Sequence, residues 1–161
     1  MAQLRCYVAS PLGFTEGGRE YYRTNYLPAL SSVVEPVDPW SLATAEELAL
    51  AGDHDPTIRL ELGRRNAHAI RSCQLLVAYL DGQEVDSGTA AEVGFAAALG
   101  IRCLGLRTDL RVAGDFGARV NLQVESFIVE SGGTICSSLR ELVDELHEIV
   151  DDPARGFARN V

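Results

Sequence analysis

The chain has 161 residues, with 14 Lys+Arg against 23 Asp+Glu and a formal charge of −9 at pH 7. Apolar residues make up 47% and charged residues 23%, the mixture of a folded globular chain, so disorder is excluded as the main state. The acidic balance, with no cluster of arginines, argues against a nucleic-acid partner, and no apolar run approaches the roughly 20 residues of a membrane span.

Leu4–Ala9 is a short apolar run ended by Ser10-Pro11 and Gly13, the pattern of a buried strand feeding a loop. Gly17-Gly18 opens an amphipathic stretch with Tyr22, Tyr26, Leu27 and Leu30 at helical spacing, and Pro28 predicts a kink or an end there. Val33–Val37 reads as a second strand and Asp38–Ser41 as a loop. Thr44-x-x-Glu47 has capping-box spacing for a short helix, and a longer helix follows from about Asp55 to Ser72. Gln74–Leu80 is continuously apolar, as a strand covered on both faces must be. A loop from Asp81 to Gly88 leads to an Ala-rich helix, Ala90–Leu99, stopped by Gly100. Ile101–Leu106 is the next strand, Thr108–Gly117 an irregular loop, and Asn121–Ile128 a helical turn. Thr134–Cys136 is a last short strand, and Ser138-x-x-Glu141 caps a terminal helix through Val150.

Strands alternating with helices predict a single α/β domain over residues 1–150, followed by a tail, 151–161. The expected architecture is a doubly wound, flavodoxin/Rossmann-like, five-stranded parallel sheet with helices on both faces. Ligands of such sheets bind outside the strand C-termini, which directs attention to the loops after Ala9, Leu80 and Leu106. The N-terminus runs straight into strand-like sequence without a signal-peptide pattern, so a soluble, cytoplasmic protein is expected. Cys6, Cys73, Cys103 and Cys136 are far apart and make no metal-ligand spacing with His54, His68 or His147. They read as reduced, packed thiols, and no metal is expected.

The segment Asp81-Gly-Gln-Glu-Val-Asp86-Ser-Gly-Thr-Ala-Ala-Glu92 places four acidic side chains at the predicted strand-end face. Asp86 falls in the loop and Glu92 in the first helical turn, where the helix N-terminus favours a carboxylate anion. Gly88 and Gly94 leave room for a ligand or a neighbouring backbone. Two carboxylates at a cavity can split a glycosidic bond, one attacking the anomeric carbon and one handling a proton. The same residues allow a plainer reading, since Thr89-x-x-Glu92 is also the spacing of a capping box. Neither G-x-G-x-x-G nor a P-loop occurs, which argues against dinucleotide or P-loop nucleotide binding.

Asp86-Ser-Gly-Thr-Ala-Ala-Glu92-Val-Gly94, with Arg107-Thr-Asp-Leu-Arg111, Asn66-Ala-His-Ala-Ile-Arg71 and the opening Tyr7-Val-Ala-Ser-Pro-Leu-Gly-Phe14, resembles the nucleoside 2-deoxyribosyltransferase family. The resemblance spans roughly Leu4 to Leu146. It implies that Glu92 is the nucleophile forming a covalent 2-deoxyribosyl-enzyme, that Asp86 manages the proton of the base, and that the Tyr7 hydroxyl orients Glu92. Asn66 stands where some members carry Asp, which leaves it hydrogen bonding to substrate. Phe14 would stack on the base, and Ser10 and Gly88 would line the site. Asn121, in Val120-Asn-Leu122, matches a residue that reaches the neighbouring subunit's site, implying a homo-oligomer. The implied substrates are a 2′-deoxynucleoside and a free nucleobase, with no cofactor. An N-glycosidase acting on 2′-deoxynucleosides or their 5′-monophosphates is the rival enzyme, and a non-catalytic nucleoside-binding domain the rival of another class.

Overall fold

Five short strands, all parallel, form one sheet in the order β2-β1-β3-β4-β5. They are β1 (Arg5–Ala9), β2 (Glu35–Val37), β3 (Leu75–Tyr79), β4 (Arg102–Leu106) and β5 (Ile135–Cys136). The computed structural model describes residues 3–52 and 56–152. His54, Asp55 and the expected tail from residue 153 onward lie outside the described residues.

Two apolar layers hold the sheet. On one face, Tyr7, Leu76, Ala78 and Cys103 pack against Ala69 and Ile70 of α4 (Pro56–Arg71), Val93 and Ala96 of α5 (Ser87–Ala98), and Val124 and Ile128 of α6 (Leu122–Glu130). On the other, Cys6, Val8, Val77 and Leu104 meet Leu30 of α2 (Leu27–Ser31) and Leu142, Leu146 and Ile149 of α7 (Leu139–Asp151). Burial on both faces is why these strands lack a polar alternation. The four cysteines are all buried and free, and burial pushes the Cys103 and Cys136 thiols up to about 12.

Local signals place most of the elements. α3 (Ala45–Gly52) starts on the expected capping box: Thr44 Oγ1 accepts from Glu47 N at 3.1 Å, and Glu47 Oε2 accepts from Thr44 N at 2.9 Å. Ser138 Oγ likewise accepts from Glu141 N at 3.1 Å to start α7. The Pro28 disturbance takes a specific form. Between α1 (Glu16–Tyr21) and α2 the chain makes a π-helical turn, Tyr22–Tyr26, in which Leu27 N–H donates to the Tyr22 carbonyl. The wider turn accommodates a proline that lacks an N–H and crowds the preceding carbonyls. The expected scatter of arginines is not what the fold produces. Arg5, Arg64, Arg65 and His68 border one groove of about 600 Å³, each arginine beside a carboxylate: Glu35, Glu61 or Glu47.

The chain steps from β1 outward to β2, then returns to place β3 on the other side of β1. That reversal opens a crevice at the C-terminal ends of β1 and β3, the usual ligand position in such sheets. The two loops at the ends of β3 and β4 are tied together beside it. The buried Arg107 guanidinium donates to the carbonyls of Leu80 at 2.5 Å, Gly82 at 2.8 Å and Arg111 at 3.1 Å. Asp81 Oδ1 accepts from Thr108 N at 2.6 Å and from Asp109 N at 2.9 Å. Asp109 accepts from Gly82 N at 3.3 Å, and its bond to Arg111 holds its carboxyl well below the usual range. This clamp anchors the segment that leads into α5. Arg107→Ala should therefore lower unfolding stability by on the order of 3 kcal/mol, read as a reduced urea midpoint, because three carbonyls lose a charged donor.

Candidate active site

The site is built where α5 begins. α5 starts at Ser87, earlier than the apolar pattern predicts, because Asp86 is its N-cap: Oδ2 accepts from Thr89 N at 2.9 Å and from Thr89 Oγ1 at 3.2 Å. Glu92 is consequently in the second turn rather than the first, and Thr89-x-x-Glu92 is not a capping box. The carboxylate favoured by the helix start is that of Asp86. Freed from any capping duty, Glu92 reaches across to β1, where its Oε1 accepts from the Tyr7 hydroxyl at 2.6 Å.

Burial pushes the Glu92 carboxyl above the ordinary value, and the nearby Asp86 adds to this, while the Tyr7 hydrogen bond opposes it. Burial and the Glu92 carboxylate together raise the Tyr7 phenol far above its usual range, so it remains a proton donor. Tyr7 is itself wholly buried in register between Leu76 and Val37, which fixes the donor from behind.

Glu92 and Asp86 open on a cavity of about 260 Å³. Ser10, Asn66, Gly88 and Thr89 share its polar side. Ser10 ends β1, and its Oγ accepts from Leu12 N at 3.1 Å, turning the chain away from the site. Gly88 lies close to the acid, since a Cβ there would stand 3.1 Å from Asp86 Oδ2 and press on the carboxylate. The other side is carbon: Phe14, Pro39, Trp40, Leu42, Leu48 and Leu62. Phe14 and Trp40 meet edge to face, with ring centroids 4.9 Å apart.

Of the residues singled out in the sequence, Ser10, Phe14, Asn66, Asp86, Gly88 and Glu92 line this one cavity, and Tyr7 stands behind Glu92. Asn121 does not join them within its own chain. It is the N-cap of α6, with Oδ1 accepting from Gln123 N at 2.9 Å and Nδ2 donating to Asp115 at 3.3 Å. It borders a second cavity of about 310 Å³, on the β4 side of α5, with Arg107, Glu84 and Asp115. The loop after Leu106 belongs to that second cavity, so it does not serve the Glu92 site as expected. In its place stands the loop after β2, with Pro39 and Trp40, which the sequence reading passes over. No local signal marks that loop, because only the strand order puts β2 beside β1. Gly94 makes its close approach to a neighbouring helix rather than a ligand, since a Cβ would lie 3.2 Å from the Phe127 ring. Among the described residues no three His, Cys, Asp or Glu side chains are grouped to hold a metal ion, and no helix is long and apolar enough to cross a membrane.

A nucleophile-like carboxylate and a second carboxylate at the switch point of a parallel sheet suit displacement at a sugar carbon. Residues 6–131 match the profile of nucleoside 2-deoxyribosyltransferase, and the chain belongs to that family. The family acts on nucleosides and nucleobases, so the chain is placed among the enzymes of that family. Among solved structures, a conserved protein of Enterococcus faecalis V583 is similar over 91% of this chain and 99% of its own, with 24% identity and a TM-score of 0.66. The 2-deoxyribosyltransferase of Bacillus psychrosaccharolyticus is similar over 87% of this chain and 90% of its own, with 16% identity and a TM-score of 0.65. At these identities the likeness establishes the fold. No curated protein matches the chain by sequence.

The Tyr7 bond makes a measurable prediction about pH. It lowers the Glu92 pKa, so Tyr7→Phe should let that pKa rise further. The acid limb of the kcat/KM profile should move to higher pH, with a loss of rate that is largest below neutrality. An unmoved limb in the variant would separate Glu92 ionisation from Tyr7.

Proposed function

We propose that the chain is a nucleoside 2-deoxyribosyltransferase that works by double displacement through a covalent intermediate on Glu92. The observation that carries this reading is the Glu92 carboxylate, held by the Tyr7 hydroxyl on Oε1 and left with Oε2 for attack at the wall of the cavity it shares with Asp86. In the first step Glu92 forms a bond to C1′ of a 2′-deoxynucleoside. The C1′–N bond breaks, its electron pair leaves on the base, and Asp86 passes to the base a proton taken up from solvent. In the second step a nitrogen of the incoming base attacks C1′, the ester bond to Glu92 breaks, and Asp86 accepts the proton back. Two inversions give net retention. Asn66 and Ser10 supply hydrogen bonds to the sugar.

Among the described residues no arginine, lysine or histidine lines the cavity, which supports an uncharged nucleoside over a 5′-monophosphate. Water in place of the second base would turn the same chemistry into hydrolysis. Incubating the protein with a deoxynucleoside, with and without a free acceptor base, reads both outcomes from one chromatogram. Exchange should dominate when the acceptor is present. Glu92→Ala should remove it by at least three orders of magnitude while leaving the fold intact, because Glu92 caps no helix. A variant within a few-fold of wild type would end the assignment.

The proposal extends to a homo-oligomer in which Asn121 serves the neighbouring subunit's site. Support comes from its position: an exposed helix start, outside its own chain's Glu92 cavity, following a segment that carries Leu110 and Phe116, which are almost fully exposed. Phe116 also adopts φ 55°, an uncommon backbone for a bulky residue. A two-fold arrangement would cover this apolar surface twice and complete two sites together. After dissociation and reassembly, mixing inactive Glu92→Ala with inactive Asn121→Ala protein should restore part of the activity. A fully active monomer in light scattering would rule this out.

A further inference from the structure

The acid-bearing side of the cavity comes from α5 and the end of β1, and the opposite side from Trp40, Leu42 and Leu48, with α4 packed against both α3 and α5 between them. The two sides differ in what they offer a ligand. The α5 side carries carboxylates and hydroxyls, with the Asn66 amide of α4 next to them. The far side carries carbon. Trp40 does not break that rule, because its indole Nε1 is shielded from solvent and meets no acceptor among the described residues, so the ring presents its hydrocarbon surface.

Trp40 is also held in place. Gly13 lies so close to the indole that a Cβ would stand 2.1 Å from the ring, an approach only glycine permits. The Trp40 backbone N–H donates to Asp38 Oδ1 at 3.0 Å, and the same oxygen accepts from the Tyr22 hydroxyl at 2.8 Å. Phe14 closes the corner edge-on. A fixed aromatic wall without an exposed donor or acceptor cannot read the edge of a base by hydrogen bonding. It can distinguish bases only by the apolar area they bury.

We propose that Trp40 is the specificity-determining residue of the site, the wall against which the nucleobase lies, and that it selects two-ring purines over one-ring pyrimidines. The inference rests on the displacement chemistry proposed above. With C1′ fixed between Glu92 and Asp86, the base projects toward the carbon side. A purine covers more of Trp40 than a pyrimidine does.

Trp40 is the single tryptophan of the chain, so the residue reports on itself. The full-length protein is titrated with adenine and with cytosine while tryptophan emission is followed, and exchange is measured with deoxyadenosine and deoxycytidine as donors. Adenine should change the emission saturably at concentrations on the order of tenfold lower than cytosine, with KM values differing in the same sense. Trp40→Phe should keep the preference. Trp40→Ala should raise the purine KM about tenfold with kcat within about twofold and the pyrimidine KM nearly unchanged. Should Trp40→Ala fail to fold by circular dichroism, Trp40→Leu carries the test, with the same loss of purine preference expected. Equal purine and pyrimidine KM values in the wild type overturn the proposal, as does a variant in which their ratio persists. Exchange without purine preference defeats this inference and leaves the displacement reading standing. Saturable adenine binding at Trp40 without any exchange does the reverse.

Discussion

A carboxylate sunk between a helix and a wholly buried strand is expensive unless something donates to it, and here the donor is one phenol. The Tyr7 to Glu92 bond spans 85 residues of sequence and joins the inner strand β1 to α5. Its geometry demands that α5 begin at Asp86, because that start sets which turn carries Glu92 toward β1. The requirement explains why Asp86 caps the helix and why Gly88 follows, leaving the capping carboxylate beside open space. Helix initiation and the placement of both acids are thus one arrangement. The cap that starts the helix is also the second acid of the cavity.

The C-terminal edge of the sheet is divided by α5. On the β1 side lies the cavity with Glu92 and Asp86; on the β4 side lies the one with Arg107, Asp115 and Asn121. The acidic loop before α5 splits accordingly. Asp81 is spent on Thr108 and Asp109, and Glu84 borders the second cavity, which leaves Asp86 and Glu92 facing the first. Four carboxylates close in sequence therefore have three different roles. Rigid anchoring by Arg107 on one flank and a carbon wall on the other gives the two acids of the cavity a fixed frame.

Much of this molecule is local in origin. Runs such as Leu75–Tyr79 and Arg102–Leu106 announce strands buried on both faces. The Thr44–Glu47 box announces a helix start, and alternation of the two element types announces a parallel sheet. The pair of acids was legible for the same reason, since both fall within one strand-to-helix connection. Local spacing was not sufficient where two signals competed. Thr89-x-x-Glu92 and Thr44-x-x-Glu47 have the same form, yet only the second is a box, because Asp86 captures the Thr89 N–H and leaves Glu92 to Tyr7.

Trp40 and Asn121 show the boundary from the other side. Nothing within a few residues of Trp40 marks it as part of a cavity; its place depends on β2 pairing with β1, with Tyr7 opposite Val37. Asn121 follows a strand on the β4 side of the sheet, so strand order alone sends it to the other cavity. The sequence by itself determined the elements, the parallel sheet and the acids at one strand end, because periodicity, caps and apolar runs act over a few residues. The tertiary structure decided which loops share a cavity, which carboxylate loses its cap and which strand supplies its donor. Those outcomes depend on strand order and burial, which join residues far apart in the chain and leave no trace in local pattern.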